Sequence, residues 1–278
     1  MIYFVATPIG NLKDITYRAV EVLNSVDIIA CEDTRTSKVL LNHYSITQPK
    51  LISFHKFNEQ ETSEKIIEFA ESGKNVAIIS DAGMPLISDP GNCLTKKLVE
   101  RNVEFTVIPG ANAGLSALVL SGLDCGQFYF AGFLPEKNSE KKEFLTNASL
   151  INSTVVFYVS PHNLKKDLAD VYSAFGTRKA SLVKEITKIH EKTYNFTLGD
   201  KLAFSANEEG LLIEPRGEFV LVVAAPSKES QQNLLNSTIV DHVKFYINLG
   251  LSKNDAIKKV AKERNVNKNT VYQEVLKI

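Results

Sequence analysis

Asn75–Gly91 reads NVAIISDAGMPLISDPG. Its first part, Asn75–Ser80, is apolar without alternation, as a strand buried on both faces must be. A loop rich in Gly and Pro follows, holding Gly83, Pro85, Pro90 and Gly91, and then a helical pattern over Asn92–Arg101. A doubly buried strand, a shaped loop and a return helix make the repeating unit of a parallel sheet covered by helices. The unit recurs on both sides. Upstream, strand Ile2–Ala6 leads to helix Thr16–Val26, and strand Asp27–Cys31 to helix Thr36–Tyr44, with a further helix over Lys65–Gly73. Downstream, strand Glu104–Ile108 leads through PGANAG to helix Leu115–Ser121.

Residues 127–226 carry a second α/β pattern. Its strands are Phe128–Phe133, Thr154–Val159, Ala180–Val183 and Glu218–Ala225, and its helices are Lys141–Ser149 and Leu164–Phe175. Ser227–Ser237 is polar and unpatterned, as a linker is. Ile239–Leu249, Lys253–Arg264 and Asn269–Leu276 then read as helices alone. The expected division is an α/β domain over 1–120, a second over 121–227, and a helical, helix-turn-helix-like tail over 238–278.

The 278 residues balance 32 Lys+Arg against 32 Asp+Glu, and 44% are hydrophobic, which excludes a disordered chain and a uniformly basic nucleic-acid coat. No apolar run approaches the ~20 residues of a membrane-spanning helix. MIYFVATPIG lacks a basic start and reads as a first strand, not a signal peptide. Cys31, Cys93 and Cys125 form no CxxC pair, so a reducing cytoplasm is the expected compartment. The histidines lack ligand spacing, so no metal is expected.

Gly and Pro cluster after strands: Pro8 and Gly10, the Gly83–Gly91 loop, and Pro109, Gly110 and Gly114. These positions fall on the carboxyl edge of the expected sheet, where open α/β sheets bind ligands. Neither GxGxxG after the first strand nor GxxxxGK[ST] is present, which favours a ligand without phosphates. Acidic residues sit in the same loops: Asp14, Glu32 and Asp33 beside Arg35, and Asp81 and Asp89. They suit hydrogen bonds to ribose hydroxyls or an amino group. Helix capping is the competing reading, by Asp33 or Thr34 for the second helix and by Asp89 for the helix after Gly91.

VATPIGNLKDIT (Val5–Thr16), CEDTR (Cys31–Arg35), SDAGMPLISDPG (Ser80–Gly91), IPGANAGLSALVLSGL (Ile108–Leu123), FAGFLPEK (Phe130–Lys137), SPH (Ser160–His162), KEITKIHE (Lys184–Glu191) and RGEFVLV (Arg216–Val222) follow one another in order. Together they resemble the bacterial small-subunit ribosomal RNA cytidine-2′-O-methyltransferases, of the tetrapyrrole-methylase-like class. The resemblance implies two α/β domains with S-adenosylmethionine in the cleft between them, and commonly a homodimer. By position it implies cofactor contacts at Pro8, at Asp81, Ala82, Gly83 and Met84, at Asn112 and Ala113, at Tyr158 and Val159, and near Ala225. Met84 stands where such enzymes usually have Thr, Val159 where Glu precedes SPH, and Asn163 where Arg follows it.

The implied reaction moves a methyl group from the sulfonium to the ribose 2′-hydroxyl of a cytidine in small-subunit ribosomal RNA, free or in the subunit. A protonated hydroxyl is a poor nucleophile, so a base or an alkoxide-stabilising charge is needed. Glu32, Asp33, Arg35, Asp89, Lys184 and Glu185 are the candidates, with Arg35 and Lys184 as partners of phosphate or alkoxide. A methylase of a tetrapyrrole precursor, or a non-catalytic RNA-binding assembly protein, are the alternatives.

Gly250–Val275 has helix–turn–helix spacing, with Ala256, Val260, Ala261, Val266 and Val271 expected inside and Lys258, Lys259, Lys262, Arg264 and Lys268 outside. Residues 228–278 carry nine Lys+Arg and five Asp+Glu, so overall neutrality is a cancellation between a positive tail and a negative body. The tail is thereby an expected handle for RNA phosphates, with docking onto the body as the other use of the same face.

Overall fold

The computed structural model describes residues 1–227, 232, 234–248 and 251–276. By their internal packing these residues form two compact units, Met1–Ser116 with Glu185–Lys192, and Ala117–Lys184 with Thr193 onward. The division falls inside a helix, and a short strap from the second half of the chain belongs to the first unit.

In the first unit, β1 (Ile2–Val5), a short 3-10 turn (Leu12–Asp14), α1 (Tyr17–Ser25), β2 (Ile28–Cys31), α2 (Thr34–His43), β3 (Lys50–Ser53), α3 (Glu59–Glu71), β4 (Val76–Ile79), α4 (Asn92–Glu100) and β5 (Phe105–Ile108) follow in order, and α5 (Ala113–Leu120) begins. The sheet has the order β3-β2-β4-β1-β5 and every pairing is parallel. Successive residues of a strand point to opposite faces, and here both faces are covered. Ile2, Phe4, Ile28, Ala30, Val76 and Ile78 pack with Ile66 and Ile67 of α3 and Leu94 and Leu98 of α4. Val5, Ile29, Cys31, Ala77 and Ile79 pack with Ala19 and Leu23 of α1 and Leu41 of α2. That two-sided burial is why these strands are apolar throughout. Each buried Val, Leu, Ile or Phe among them contributes about 1.5–3 kcal/mol by leaving water.

Caps set the helix starts. Thr16 Oγ1 accepts from Ala19 N–H at 3.1 Å, and Asp33 Oδ1 from Arg35 N–H at 2.8 Å. Asp89 does not cap α4. Glu59 does, its Oε1 accepting from Gly91 N–H at 3.0 Å and Cys93 N–H at 2.8 Å. β3 escapes the apolar pattern because it is an edge strand only half buried, and α3 starts earlier than expected because its first turn, EQET, is polar.

The second unit continues with β6 (Phe128–Phe133), α6 (Asn138–Ser149), β7 (Thr154–Val159), α7 (Leu164–Phe175), β8 (Lys179–Lys184), β9 (Lys192–Thr197), β10 (Leu202–Ala203), β11 (Leu211–Leu212) and β12 (Phe219–Val223). Its main sheet, β6-β7-β12-β8-β9, is mixed: β6 and β7 are parallel, and β12 is antiparallel to β7 and to β8. The tail folds as α8 (Ile239–Asn248), α9 (Lys253–Glu263) and α10 (Lys268–Leu276) around Val243, Tyr246, Ala256, Ile257, Val260, Ala261 and Val271, with Leu150 packed against them. Part of the expected linker, residues 228–231 and 233, and Leu249 and Gly250 in the tail lie outside the described residues.

Three residues of the tail are placed otherwise than expected. Val266 is 38% exposed, because it follows left-handed Asn265 in the turn that ends α9. Arg264 points inward: its Nε donates to His242 Nδ1 at 3.0 Å and its Nη2 to Ser237 O at 2.6 Å. Lys259 also leans on the bundle, 3.4 Å from Glu263 Oε1 and over the Tyr246 ring. Lys258, Lys262 and Lys268 face solvent.

Candidate active site

In the first unit, β1 and β4 are neighbours whose connections leave in opposite directions, β1 toward β2 and β4 toward β5. Such a switch opens a crevice outside the carboxyl ends of the strands. Here the loops after β1, β4 and β5 lock together. Thr7 N–H donates to Gly83 O at 2.9 Å, Gly83 N–H to Thr7 O at 3.1 Å, and Thr7 Oγ1 to Ser80 O at 3.2 Å. Gly83 has φ +83°, and a Cβ there would lie 3.2 Å from Ile9 Cγ2 and 3.6 Å from Ala111 O. A Cβ on Gly110 would come within 2.8 Å of Ala6 Cβ. Both positions therefore need glycine for the backbones to approach. Beyond Pro85, Leu86 and Ser88 have φ of 73° and 72°, left-handed conformations costing about 1–2 kcal/mol each.

Four carboxylates gather beside these loops. Asp81 Oδ1 accepts from Asp33 N–H at 3.1 Å, which joins the ends of β4 and β2. Asp33 is held down to about 2, first by the Arg35 guanidinium, whose Nη2 and Nε lie 2.7 and 3.2 Å from its oxygens, and then by Arg35 N–H. The other three go the opposite way. Desolvation raises Glu32, with Asp81 adding repulsion and His55 and Lys56 partly offsetting it. Desolvation also raises Asp81. Asp89 is pushed up to about 6, by burial first and then by Glu32 and Asp81, against a stabilising hydrogen bond from Ser80. Carboxylates whose environments drive them apart mark sites of acid–base work. Burial pushes the Cys31 thiol up as well, so it is no activated nucleophile.

Ala6–Gly10, Ser80–Asp89 and Pro109–Gly114 contain no Lys or Arg. These loops supply backbone amides and carbonyls, hydroxyls and carboxylates. With carboxylates and no cation, that set suits S-adenosylmethionine, which carries a sulfonium, an ammonium and ribose hydroxyls, better than an anionic nucleotide phosphate. Pro8 is buried at the end of β1, Ala82 is exposed, and Met84 is half buried in the β4 loop. Asn112 caps α5, its Oδ1 accepting from Leu115 N–H at 2.9 Å, and Ala113 opens that helix. Among the described residues no group of three or more His, Cys, Asp or Glu side chains is arranged to hold a metal ion.

The remaining sequence candidates belong to the second unit or to the strap. Lys184 ends β8 in the second unit, buried, with its Nζ 3.0 Å from Glu214 Oε2. Glu185 opens the strap with φ +52° and pairs with Lys188 at 2.9 Å. The strap reaches the β1 loop: Thr187 Oγ1 accepts from Asn11 N–H at 3.0 Å, and Lys188 Cγ fills the space where a Cβ on Gly10 would sit. Tyr158 and Val159 end β7, with Tyr158 edge-on to Phe130 and Phe133. Ala225 lies at the opposite end of that sheet, since Val159 is paired with Phe219 and Val155 with Val223. At about 3.3 Å per residue this separates Val159 from Ala225 by roughly 20 Å along the sheet. The sequence reading missed Thr7, Ser80, the Glu59 cap and the whole loop after β3. Thr7 and Ser80 lie at the ends of strands that the apolar pattern reveals, and could have been found there.

Residues 1–202 match the family of tetrapyrrole (corrin/porphyrin) methylases. The ribosomal RNA small subunit methyltransferase I of Bacillus subtilis (strain 168) is 41% identical over 276 residues, covering 98% of this chain and 92% of the relative. The protein of the same name from a Synechocystis species is 37% identical over 274 residues, covering 98% and 96%. Among solved structures, a diphthine synthase superposes with a TM-score of 0.61 at 15% identity, over 81% of this chain and 89% of that one. The uroporphyrin-III-C-methyltransferase from Thermus thermophilus superposes with a TM-score of 0.55 at 18% identity, over 80% and 93%. At those identities the solved structures speak for the fold. The chain belongs to the tetrapyrrole methylase family, and within it to the group of small-subunit ribosomal RNA methyltransferases.

Proposed function

We propose that this chain transfers a methyl group from S-adenosylmethionine to the ribose 2′-hydroxyl of a cytidine in small-subunit ribosomal RNA. Ribosomal RNA methylation is supported by relatives of that name along nearly the whole chain. The choice of a hydroxyl acceptor is supported by the acid–base character of the site, above all by Asp89, a carboxyl pushed up to about 6 beside Ser80 at the carboxyl edge. When bound, the cofactor supplies an electrophilic methyl on a positively charged sulfur.

The chain's own residues do the rest. Pro8, Gly83 and Gly110 keep the loop backbones close enough to hold the donor, and Asp81 offers its carboxylate to an ammonium or hydroxyl. Asp89 takes the 2′-hydroxyl proton as the oxygen attacks. A base titrating near neutral pH does this better than an ordinary aspartate. Glu32 serves as the second acceptor of that proton or holds the ribose. Arg35, anchored by Asp33, meets an RNA phosphate, and the cations Lys258, Lys262 and Lys268 of the tail meet others. Positioning the oxygen in line with the methyl carbon accounts for much of the remaining acceleration.

A homodimer is the proposed working state. In the first unit Phe105 and Val107 of β5 and Leu115 of α5 are 37, 46 and 51% exposed, and in the second Val119 and Phe133 reach 73 and 58%. Apolar strand and helix faces of that extent are rarely left to water. The function is tested by incubating the chain with labelled donor and, in parallel, small ribosomal subunits, naked small-subunit RNA and a porphyrinogen. Label in RNA ribose supports the reading, and label in the porphyrinogen alone overturns it.

A further inference from the structure

Phe57 stands out from the first unit with 85% of its surface exposed. Local structure holds it there. His55 to Asn58 form a tight turn closed by Asn58 N–H donating to His55 O at 3.0 Å. Asn58 fastens the turn twice more, its Oδ1 accepting from His55 N–H at 2.8 Å and its Nδ2 donating to Ser53 O at 3.0 Å. Lys56 and Phe57 take the two corner positions, so neither folds back toward the core. Lys56 Nζ lies 5.0 Å from the Phe57 ring centroid, and the His55 ring meets Phe57 edge-on at 5.9 Å.

This turn adjoins the carboxylate cluster. Phe54 N–H donates to Cys31 O at 2.8 Å, which sets the start of the turn level with Glu32. His55 and Lys56 are close enough to Glu32 to favour its ionised form. Arg35, with its side chain 89% exposed, lies in the first turn of α2, the helix that follows the adjoining strand. The rim therefore offers an exposed aromatic face with Lys56 beside it and Glu32 close by, and Arg35 beyond the end of the adjoining strand.

We propose that this rim is a platform for single-stranded RNA, on which a base flanking the methylated nucleotide stacks against Phe57 while Lys56 and Arg35 hold the neighbouring phosphates. A π-face with cations at its sides complements a nucleotide, whose base is flat and whose linkage is anionic. A folded protein partner needs a broader apolar patch than one ring gives. The acceptor strand must be unpaired for a base to leave its stack, so a loop or other single-stranded segment is the matching substrate. This inference deepens the ribosomal RNA reading and depends on it.

The test uses the full-length chain and its Phe57→Ala, Phe57→Trp and Lys56→Ala variants. KM and kcat are measured on naked small-subunit RNA and on assembled subunits, with donor affinity by calorimetry and melting temperature as controls. Phe57→Ala is expected to raise KM for RNA about 5- to 150-fold, the range of a single base–aromatic stack, with donor affinity and melting temperature unchanged. Phe57→Trp restores binding, and Lys56→Ala lowers the salt dependence of KM. An unchanged KM in Phe57→Ala overturns the platform while leaving the function intact. So does a loss on assembled subunits while naked RNA is methylated with an unchanged KM, which points to a ribosomal protein as the occupant. A wild-type chain that methylates no RNA overturns the function itself, so the two failures are distinct.

Discussion

Replacing Asp89 with Asn removes the charge on which the proposed chemistry depends most. In the folded chain this carboxyl titrates near 6, against 3.8 for a free one. The folded state therefore binds a proton more tightly than the unfolded state, and stability falls as pH rises between these values. Asp89 costs least below about 3.8, and its full penalty is present above about 6. At about 1.4 kcal/mol per pH unit the displacement has an upper bound of about 3 kcal/mol. The side chain is only half buried, and solvent screening reduces this to about 1–2 kcal/mol. Urea denaturation at pH 7.5 should show Asp89→Asn more stable than wild type by that amount, with the gain gone near pH 4. The same substitution should slow methyl transfer about 10²- to 10⁴-fold. Wild-type turnover should fall tenfold per pH unit below about 6, and the variant should lack that limb. A variant no more stable at pH 7.5, or one that keeps both the acid limb and the rate, refutes the reasoning.

Arg35→Ala frees Asp33 from its ion pair, so that carboxyl should move up from about 2 toward its ordinary value. NMR titration reads the change, and RNA affinity should weaken while donor affinity holds. Glu59→Ala uncaps α4 by releasing Gly91 and Cys93 N–H groups, at a cost of about 1 kcal/mol in chemical denaturation. Lys258→Glu, Lys262→Glu and Lys268→Glu together should flatten the salt dependence of RNA binding, by about 0.7 in slope for each phosphate no longer neutralised. Leu115→Lys should shift sedimentation from dimer to monomer without unfolding the chain, since Leu115 is 51% exposed.

The first unit's sheet was legible because its central strands are doubly buried. Ile28–Cys31 and Val76–Ile79 are buried at every position, and their sequences contain nothing but apolar residues. β3 and β9 were not legible, because KLIS and KTYNFT are edge strands whose mixed polarity matches half-exposed backbone. Missing β3 hid the turn that follows it, and with it His55, Lys56 and Phe57. The carboxylates Glu32, Asp33, Asp81 and Asp89 could be named because each lies in a loop just after a strand. Their different characters could not. Whether an aspartate is held down by a guanidinium, as Asp33 is, or pushed up by burial, as Asp89 is, depends on how the folded chain surrounds it. Lys184 and Glu185 show the converse. Each is a charged residue in a suggestive motif, and each is already committed to a partner, Glu214 and Lys188. In the tail, Arg264 shares the helical spacing of outward-facing lysines, yet its guanidinium turns inward to the carbonyls before α8 and to His242.

The most direct test of the central claim is the position of the transferred methyl group. Small ribosomal subunits are incubated with the chain and labelled donor, and the RNA is extracted and subjected to partial alkaline hydrolysis. A methylated 2′-oxygen cannot attack the adjoining phosphate, so the ladder loses one band at the modified nucleotide. The expected result is label and a single missing band at a cytidine, both absent with Asp89→Asn. Label in RNA with an unbroken ladder, which puts the methyl group on a base, contradicts the claim.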